Sequence, residues 1–107
     1  IDAAVRLSIG PRLALWGPLL TEDLIVSKTT ALAVTDSLHR QTGDENYRGR
    51  PVLRELVEKG HLGAIKGQGW YRFDAPYGEI VQERDRQLTD LLEWLRERDP
   101  VGRLTPR

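Results

Sequence analysis

The chain has 107 residues, 39% of them hydrophobic and 30% charged, enough to bury roughly two-thirds of its unfolded surface around one core; neither disorder nor a long apolar membrane span fits. Sixteen Lys and Arg balance sixteen Asp and Glu, so there is no basic excess to displace counterions from nucleic acid or to hold an acidic membrane. Zero Cys excludes disulfides, thiolate nucleophiles and sulfur-ligated metals, and no metal site is expected from His39 and His61 alone.

Asp2 followed by Ala3, Ala4, Val5 and Leu7 predicts one or two helical turns with a carboxylate cap, closed by Gly10-Pro11. Residues 12–20 are apolar, and Gly17-Pro18 forbids a continuous helix there, so a buried, bent connection is expected. Thr21 is placed to cap a helix running to about Gln41 and stopping at Gly43, with Glu22 and Asp23 in its first turn. Leu24, Ile25, Ala31, Leu32, Val34 and Leu38 recur at three- and four-residue steps and predict its core face, leaving Lys28, Asp36 and Arg40 to water.

Residues 42–50 read as a loop, and Pro51 stands at the first position of a helix over 51–59, with Leu53, Leu56 and Val57 as its buried stripe. Residues 60–78 hold five glycines and Pro76, a density that breaks helices and permits tight turns around Trp70, Tyr71 and Phe73. A last helix over about 79–99 places Ile80, Val81, Leu88, Leu91, Leu92 and Leu95 on one side. Its length of about 30 Å exceeds what a small helical domain needs. Glu83 with Arg86 and Glu93 with Arg96 read as ion pairs on its solvated face, and Trp94 stands off its apolar stripe, equally suited to a surface anchor and to the core edge. The domain expected is a single all-α unit over residues 1–99, with 100–107 as a tail.

The chemistry-bearing candidates are few. Gly63-Ala64-Ile65-Lys66-Gly67-Gln68-Gly69 has glycines and a lysine suited to an anion. It enters Trp70-Tyr71 instead of opening a helix with Gly-Lys-Ser/Thr, so a structural turn is the better reading, with positive φ expected at Gly67 or Gly69. His61 has no serine nucleophile or orienting carboxylate beside it, and His39 stands near a helix C-terminus, where positive charge is favourable without chemistry. No catalytic residue is assigned. A helix-turn-helix DNA binder is disfavoured by the neutral charge. No signal peptide is read at the N-terminus, which makes the cytoplasm the expected location. Met is absent and a helix begins at residue 1, which reads as a piece of a longer protein.

Three blocks together resemble the C-terminal domain of the 3-hydroxyacyl-CoA dehydrogenase family. Ile1-Asp2-Ala3-Ala4, Ile9-Gly10-Pro11-Arg12 and Gly17-Pro18-Leu19 look like its Asp-x-Ala helix, Gly-x-Arg turn and Gly-Pro loop. Thr42-Gly43-Asp44, Tyr47-Arg48 and Leu53-x-x-Leu56-Val57 are similar to its middle segment. Gly60-His61-Leu62-Gly63 through Lys66-Gly67-Gln68-Gly69-Trp70-Tyr71 resembles its Leu-Gly-x-Lys-Thr-Gly-x-Gly-Phe-Tyr signature, with the Lys-Thr pair falling on Ile65-Lys66 and the Phe on Trp70. The match spans residues 1 to about 73.

The resemblance implies an all-α domain of the dehydrogenase C-terminal type, similar to that of 6-phosphogluconate dehydrogenase. It further implies an oxidoreductase of fatty acid metabolism in which this domain makes a homodimer and one wall of the acyl-substrate cleft. Arg12, Gly17 and Pro18 fall in the cleft by resemblance, and Gly63, Gly67, Gly69 and Tyr71 in the structural signature. NAD and the catalytic pair belong to an N-terminal Rossmann domain, so this chain is expected to bind no cofactor and to be inactive alone, without nucleic-acid or membrane partners. The alternative is a non-catalytic helical interaction module with the same fold.

Overall fold

A computed structural model of the chain describes residues 1–98. They form α1 (Asp2–Arg6), α2 (Ile9–Ile25), α3 (Lys28–Thr42), a 3-10 turn (Glu45–Tyr47), α4 (Pro51–Glu58), a second 3-10 turn (Ala64–Lys66) and α5 (Tyr77–Arg96). Among the described residues there is no strand, only isolated bridges between Gly63 and Gln68 and between Gln68 and Arg72. The all-α expectation is met. Residue 99 and the expected tail over 100–107 lie outside the described residues.

Three boundaries differ from the sequence reading. Gly10-Pro11 does not close the first helix: α1 ends at Arg6, and both residues belong to the first turn of α2, where proline costs nothing because first-turn amides have no helical partner. Asp2 is the first helical residue and Ile1 the cap, with no side-chain capping bond. Residues 12–16 are helical, not irregular. The break comes at Gly17, with φ 73° and ψ 174°, a backbone that only glycine adopts cheaply. Pro18 then opens the second half of α2, and the Thr21 hydroxyl donates to the Gly17 carbonyl at 2.6 Å, so Thr21 is interior and satisfies the bend.

The helix expected from Thr21 to Gln41 is two helices. Val26 is extended, and Ser27 caps α3 by accepting from the Thr29 amide at 3.3 Å. Glu22 and Asp23 therefore lie in the last turns of α2. Gly43 ends α3 in a left-handed cap, as read. α4 begins at Pro51 and buries Leu53, again as read.

α2 packs on α1 and α5, and α3 packs on α4 and the 45–47 turn. Two bonds fasten α5 to α2: Trp16 Nε1 donates to Gln87 Oε1 at 2.9 Å, and Arg84 Nη1 donates to the Leu24 carbonyl at 3.1 Å, which would otherwise be an orphan of the helix end. Among the described residues, the buried apolar core comprises Leu24, Leu32, Leu53 and Ala64, with Pro11 buried as well. Ile25, Val34 and Leu38, expected in the core, are 48%, 52% and 38% exposed. The expected pair Glu83–Arg86 forms at 2.5 Å, Glu93–Arg96 does not, and Trp94 is exposed beneath the Arg98 guanidinium, 4.1 Å from its ring centre.

Candidate functional site: a glycine loop closed on a buried ion pair

Where α2 gives way to α3, two charged side chains leave water altogether. Lys28, expected to face solvent, is fully buried and bonded to Asp23, which is also buried. Five residues separate them, and the extended backbone at Val26 turns them toward each other in a way a continuous helix cannot. Burying charges is costly unless they are paired and hydrogen-bonded, and here the carboxylate is supplied from two sides. Asp23 Oδ1 also accepts from the Trp70 amide at 3.0 Å, and Oδ2 from the Tyr71 amide at 2.8 Å. The Lys28 ammonium stands 5.3 Å from the centre of the Trp70 ring, within cation–π range.

Two of the signature glycines, Gly63 and Gly69, are explained by close approach to Asp23. A Cβ on Gly69 would run into the Asp23 carboxylate, and one on Gly63 would come 2.9 Å from the Asp23 carbonyl. Gly67 has φ 77° and makes the turn, as expected of one of the pair. The turn carries the chain back so that Trp70 Nε1 reaches Glu22 Oε2 at 2.6 Å. The Lys28 amide donates to the Leu62 carbonyl at 3.1 Å, completing the junction.

The loop has no capacity left for an anion at these positions. The amides of Gly63, Lys66, Gly67 and Gly69 donate to Gln68, Gly63, Ala64 and Tyr71 carbonyls, and those of Trp70 and Tyr71 are held by Asp23. A phosphate cradle needs free N–H groups pointing outward. Asp23 accepts three bonds in a sealed site, so it has neither access nor freedom to act as a base. Its work is to hold the loop.

The remaining candidates lie elsewhere. Pro18 is exposed on the α2 bend, with Gly17 half-buried. Arg12 lines a separate cavity with Trp16, Ile25, Arg84, Asp85 and Leu88, and the structure does not gather all three around one void. A larger hollow of about 460 Å³ lies between α2, α5 and the loop, walled by Trp16, Leu20, Leu24, Phe73 and Ile80. His39 pairs with Glu45 at 2.9 Å. The Arg48 guanidinium, bonded to Glu45, and then His39 hold the Glu45 carboxyl down at about 2. Among the described residues no cluster of His, Cys, Asp and Glu is arranged to hold a metal, and no helix is long and apolar enough to cross a membrane.

Sequence reading missed Asp23, Lys28 and Glu22. The available signal was Lys28 itself, a cation between the core residues Leu24 and Leu32 on an otherwise apolar face, with Asp23 the nearest acid before it.

Comparison with known proteins places this arrangement. The family model described as 3-hydroxyacyl-CoA dehydrogenase, C-terminal domain, matches residues 1–73, which include the whole glycine loop and the ion pair. A probable 3-hydroxybutyryl-CoA dehydrogenase of Deinococcus radiodurans is 37% identical over 73 residues, covering 68% of this chain and 25% of that protein. One of Bacillus subtilis is 35% identical over 74 residues, covering 69% of this chain and 24% of that protein. The chain thus spans about a quarter of the length of these curated relatives. The crystal structure of a 3-hydroxyacyl-CoA dehydrogenase from Archaeoglobus fulgidus superimposes with a TM-score of 0.73 at 28% identity, over 88% of this chain and 32% of that one. With a family match over most of the chain and a shared helical fold, the chain belongs to the 3-hydroxyacyl-CoA dehydrogenase C-terminal domain family.

Proposed function

We propose that this chain is the dimerisation and substrate-cleft domain of an NAD-dependent 3-hydroxyacyl-CoA dehydrogenase-like oxidoreductase. The observation that carries the reading is an incomplete core. The radius of gyration is 17.1 Å, against about 13 Å for a compact domain of 100 residues. Large apolar side chains on several elements stay open, among them Val5, Ile9, Leu13, Leu19, Val34 and Leu38. Apolar surface on that scale calls for cover by another chain or domain. A second copy covers part of it, and a nucleotide-binding domain covers the rest.

In this reading the Gly17-Pro18 bend, with Arg12 one helix ridge before it, borders the acyl cleft. Support comes from the exposure of Pro18 and of Leu19 at 47%, which leaves an apolar edge for an acyl chain. The glycine loop with Gly63, Gly67, Gly69 and Tyr71 keeps the wall rigid. Hydride transfer needs a dinucleotide site with a Gly-x-Gly-x-x-Gly strand-turn-helix, and the amides of Gly63, Lys66, Gly67, Gly69, Trp70 and Tyr71 are spent internally. The catalytic step and NAD are therefore assigned to another part of the longer protein.

The test is light scattering coupled to size exclusion over a wide concentration range, with calorimetric titration of NAD. A dimer that dissociates on dilution and shows no NAD binding is expected. A monomer at every concentration sinks the dimer, and stoichiometric NAD binding sinks the division of labour. The residues encoded ahead of Ile1 supply the independent check: a dinucleotide-binding βαβ unit there is required.

A further inference from the structure

We propose that the outward face of α3 is a self-association surface, on which α3 of one copy lies antiparallel to α3 of a second. The pairing presupposes the dimer reading above and gives it a face and a register. The face borders a shallow hollow of about 470 Å³ lined by Thr29, Thr30, Ala33, Val34, Ser37 and Leu38, all from this one helix and none charged.

α3 and α5 show water different faces. The outer side of α5 carries Glu83, Arg86 and Asp90 in exposed ion pairs, the ordinary make-up of a solvated helix face. α3 buries Leu32 on one side; the opposite side, made by Thr30, Val34 and Ser37 with Ala33 and Leu38 flanking them, has no charge to hold water. In a chain 30% charged, that side is an exception. The charges of α3 are spent elsewhere: Lys28 on Asp23, Asp36 on Arg54 at 3.0 Å and His39 on Glu45 at 2.9 Å, while Arg40 follows near the end of the helix. Val34 and Leu38 stand exposed on the uncharged side.

The register of these six residues selects the partner. Residues four apart form rows along a helix, so Thr30, Val34 and Leu38 make a ridge and the shorter Thr29, Ala33 and Ser37 a furrow beside it. A two-fold axis midway between Ala33 and Val34 maps the set onto itself. Val34 of one copy then falls opposite Ala33 of the other, Leu38 opposite Thr29, and Ser37 opposite Thr30, large against small and hydroxyl against hydroxyl. An interface between identical copies must be self-complementary in this way, and a face built for an unlike partner has no reason to be. Being uncharged, it sets no like charges against each other across the axis. The 15 residues of α3 span about 22 Å, and a contact of that length stands at the small end of interface sizes, so the association is reversible and concentration-dependent.

The experiment is light scattering coupled to size exclusion over a wide concentration range, on the full chain and on Ala33→Arg. Ala33 is exposed in the middle of α3, so arginine there keeps the helix and sets a guanidinium at the axis, and self-association is expected to weaken about tenfold or more. Arg86→Gln, on the outer face of α5, is expected to associate as the parent does. A parent that pairs no more tightly than Ala33→Arg overturns this face and leaves the dimer reading standing, whereas a parent that is monomeric at every concentration overturns both. Should Ala33→Arg fail to fold, cysteine decides. The chain has none, and Ala33→Cys is expected to be joined into covalent dimers by a short bis-maleimide far faster than Asp90→Cys on α5. Equal rates for the two overturn the proposal.

Discussion

Asp23 and Lys28 meet with no solvent exposure at the α2–α3 junction, while Glu83, Arg86 and Asp90 meet along the outer face of α5 with more than half of each side chain in water. The chemical groups are nearly the same and the energetic consequences are not. In the junction, each charge is out of water and depends on the other, so removing one partner strands the second. On α5, water replaces any partner that is lost, and the rotamer entropy of holding long side chains offsets most of the attraction. The difference shows that an ion pair is structural when its surroundings, not its distance, make it irreplaceable.

The largest expected effect is at the junction. Lys28→Met leaves the buried Asp23 carboxyl without its counter-charge, and should cost about 3–5 kcal/mol in urea denaturation followed by circular dichroism. Adding Asp23→Asn to Lys28→Met removes the stranded charge while keeping an oxygen for one loop amide, so the double variant should be more stable than Lys28→Met. If the two losses simply add, the pair is not coupled and the contrast with α5 collapses.

Next come the glycines pressed on Asp23. Gly63→Ala combines φ 140° with a Cβ 2.9 Å from the Asp23 carbonyl, and should cost more than Gly67→Ala, whose φ strain alone is worth about 1 kcal/mol. Equal midpoints for the two variants would remove the claim that close approach, and not only turn geometry, selects glycine here. Trp70→Phe keeps a ring over Lys28 and loses the bond to Glu22, for about 1 kcal/mol.

The smallest effects are expected at the exposed pairs. Arg86→Gln should leave the denaturation midpoint unchanged within error, and a shift comparable with that of Trp70→Phe would erase the distinction between the two regions. Acid sharpens it. Glu45 is held at about 2 in the folded chain, from an ordinary 4.5, by Arg48 and His39. Whatever it contributes is thus present above the ordinary carboxylate range and lost as pH falls toward 2. Glu83, lowered by Arg86 and Gln87, follows the same sign. Because both lie in water, raising salt should flatten this part of the acid titration while leaving the Lys28→Met penalty in place.

How much of this could be read from the sequence depended on whether the deciding contact was local. α4 was legible because Pro51, Gly60 and the Leu53, Leu56, Val57 stripe all act within a turn or two. The α2–α3 break was not, because Leu24, Ile25, Ala31 and Leu32 keep a helical period straight across Val26-Ser27, and the short-range signal of a Ser cap is common. Lys28 was misplaced for a physical reason: a lone lysine is solvated by default, and its partners Asp23 and Trp70 are assembled only when a loop over forty residues away closes. For the same reason the glycine signature was recognisable as a pattern while the need for glycine at 69, the Asp23 carboxylate, was invisible. Arg12 was named through resemblance, but its neighbour Arg84 comes from the last helix, beyond the span of the resemblance.

The junction also governs how the fold opens. α1, α2, α5 and the 64–66 turn pack as one group, α3, α4 and the 45–47 turn as another, and α3 is pinned to the first group through the Lys28 amide on Leu62 and the Lys28 side chain on Asp23. Releasing both contacts of that one residue frees a helical hairpin without unpacking α2 from α5. In native-state hydrogen exchange, the amides of α3 and α4 should therefore form one cooperative unit with an opening free energy below the global value, while those of α5 facing Trp16 and Leu24 exchange last. A single lysine thus separates two tiers of protection within a chain of this size.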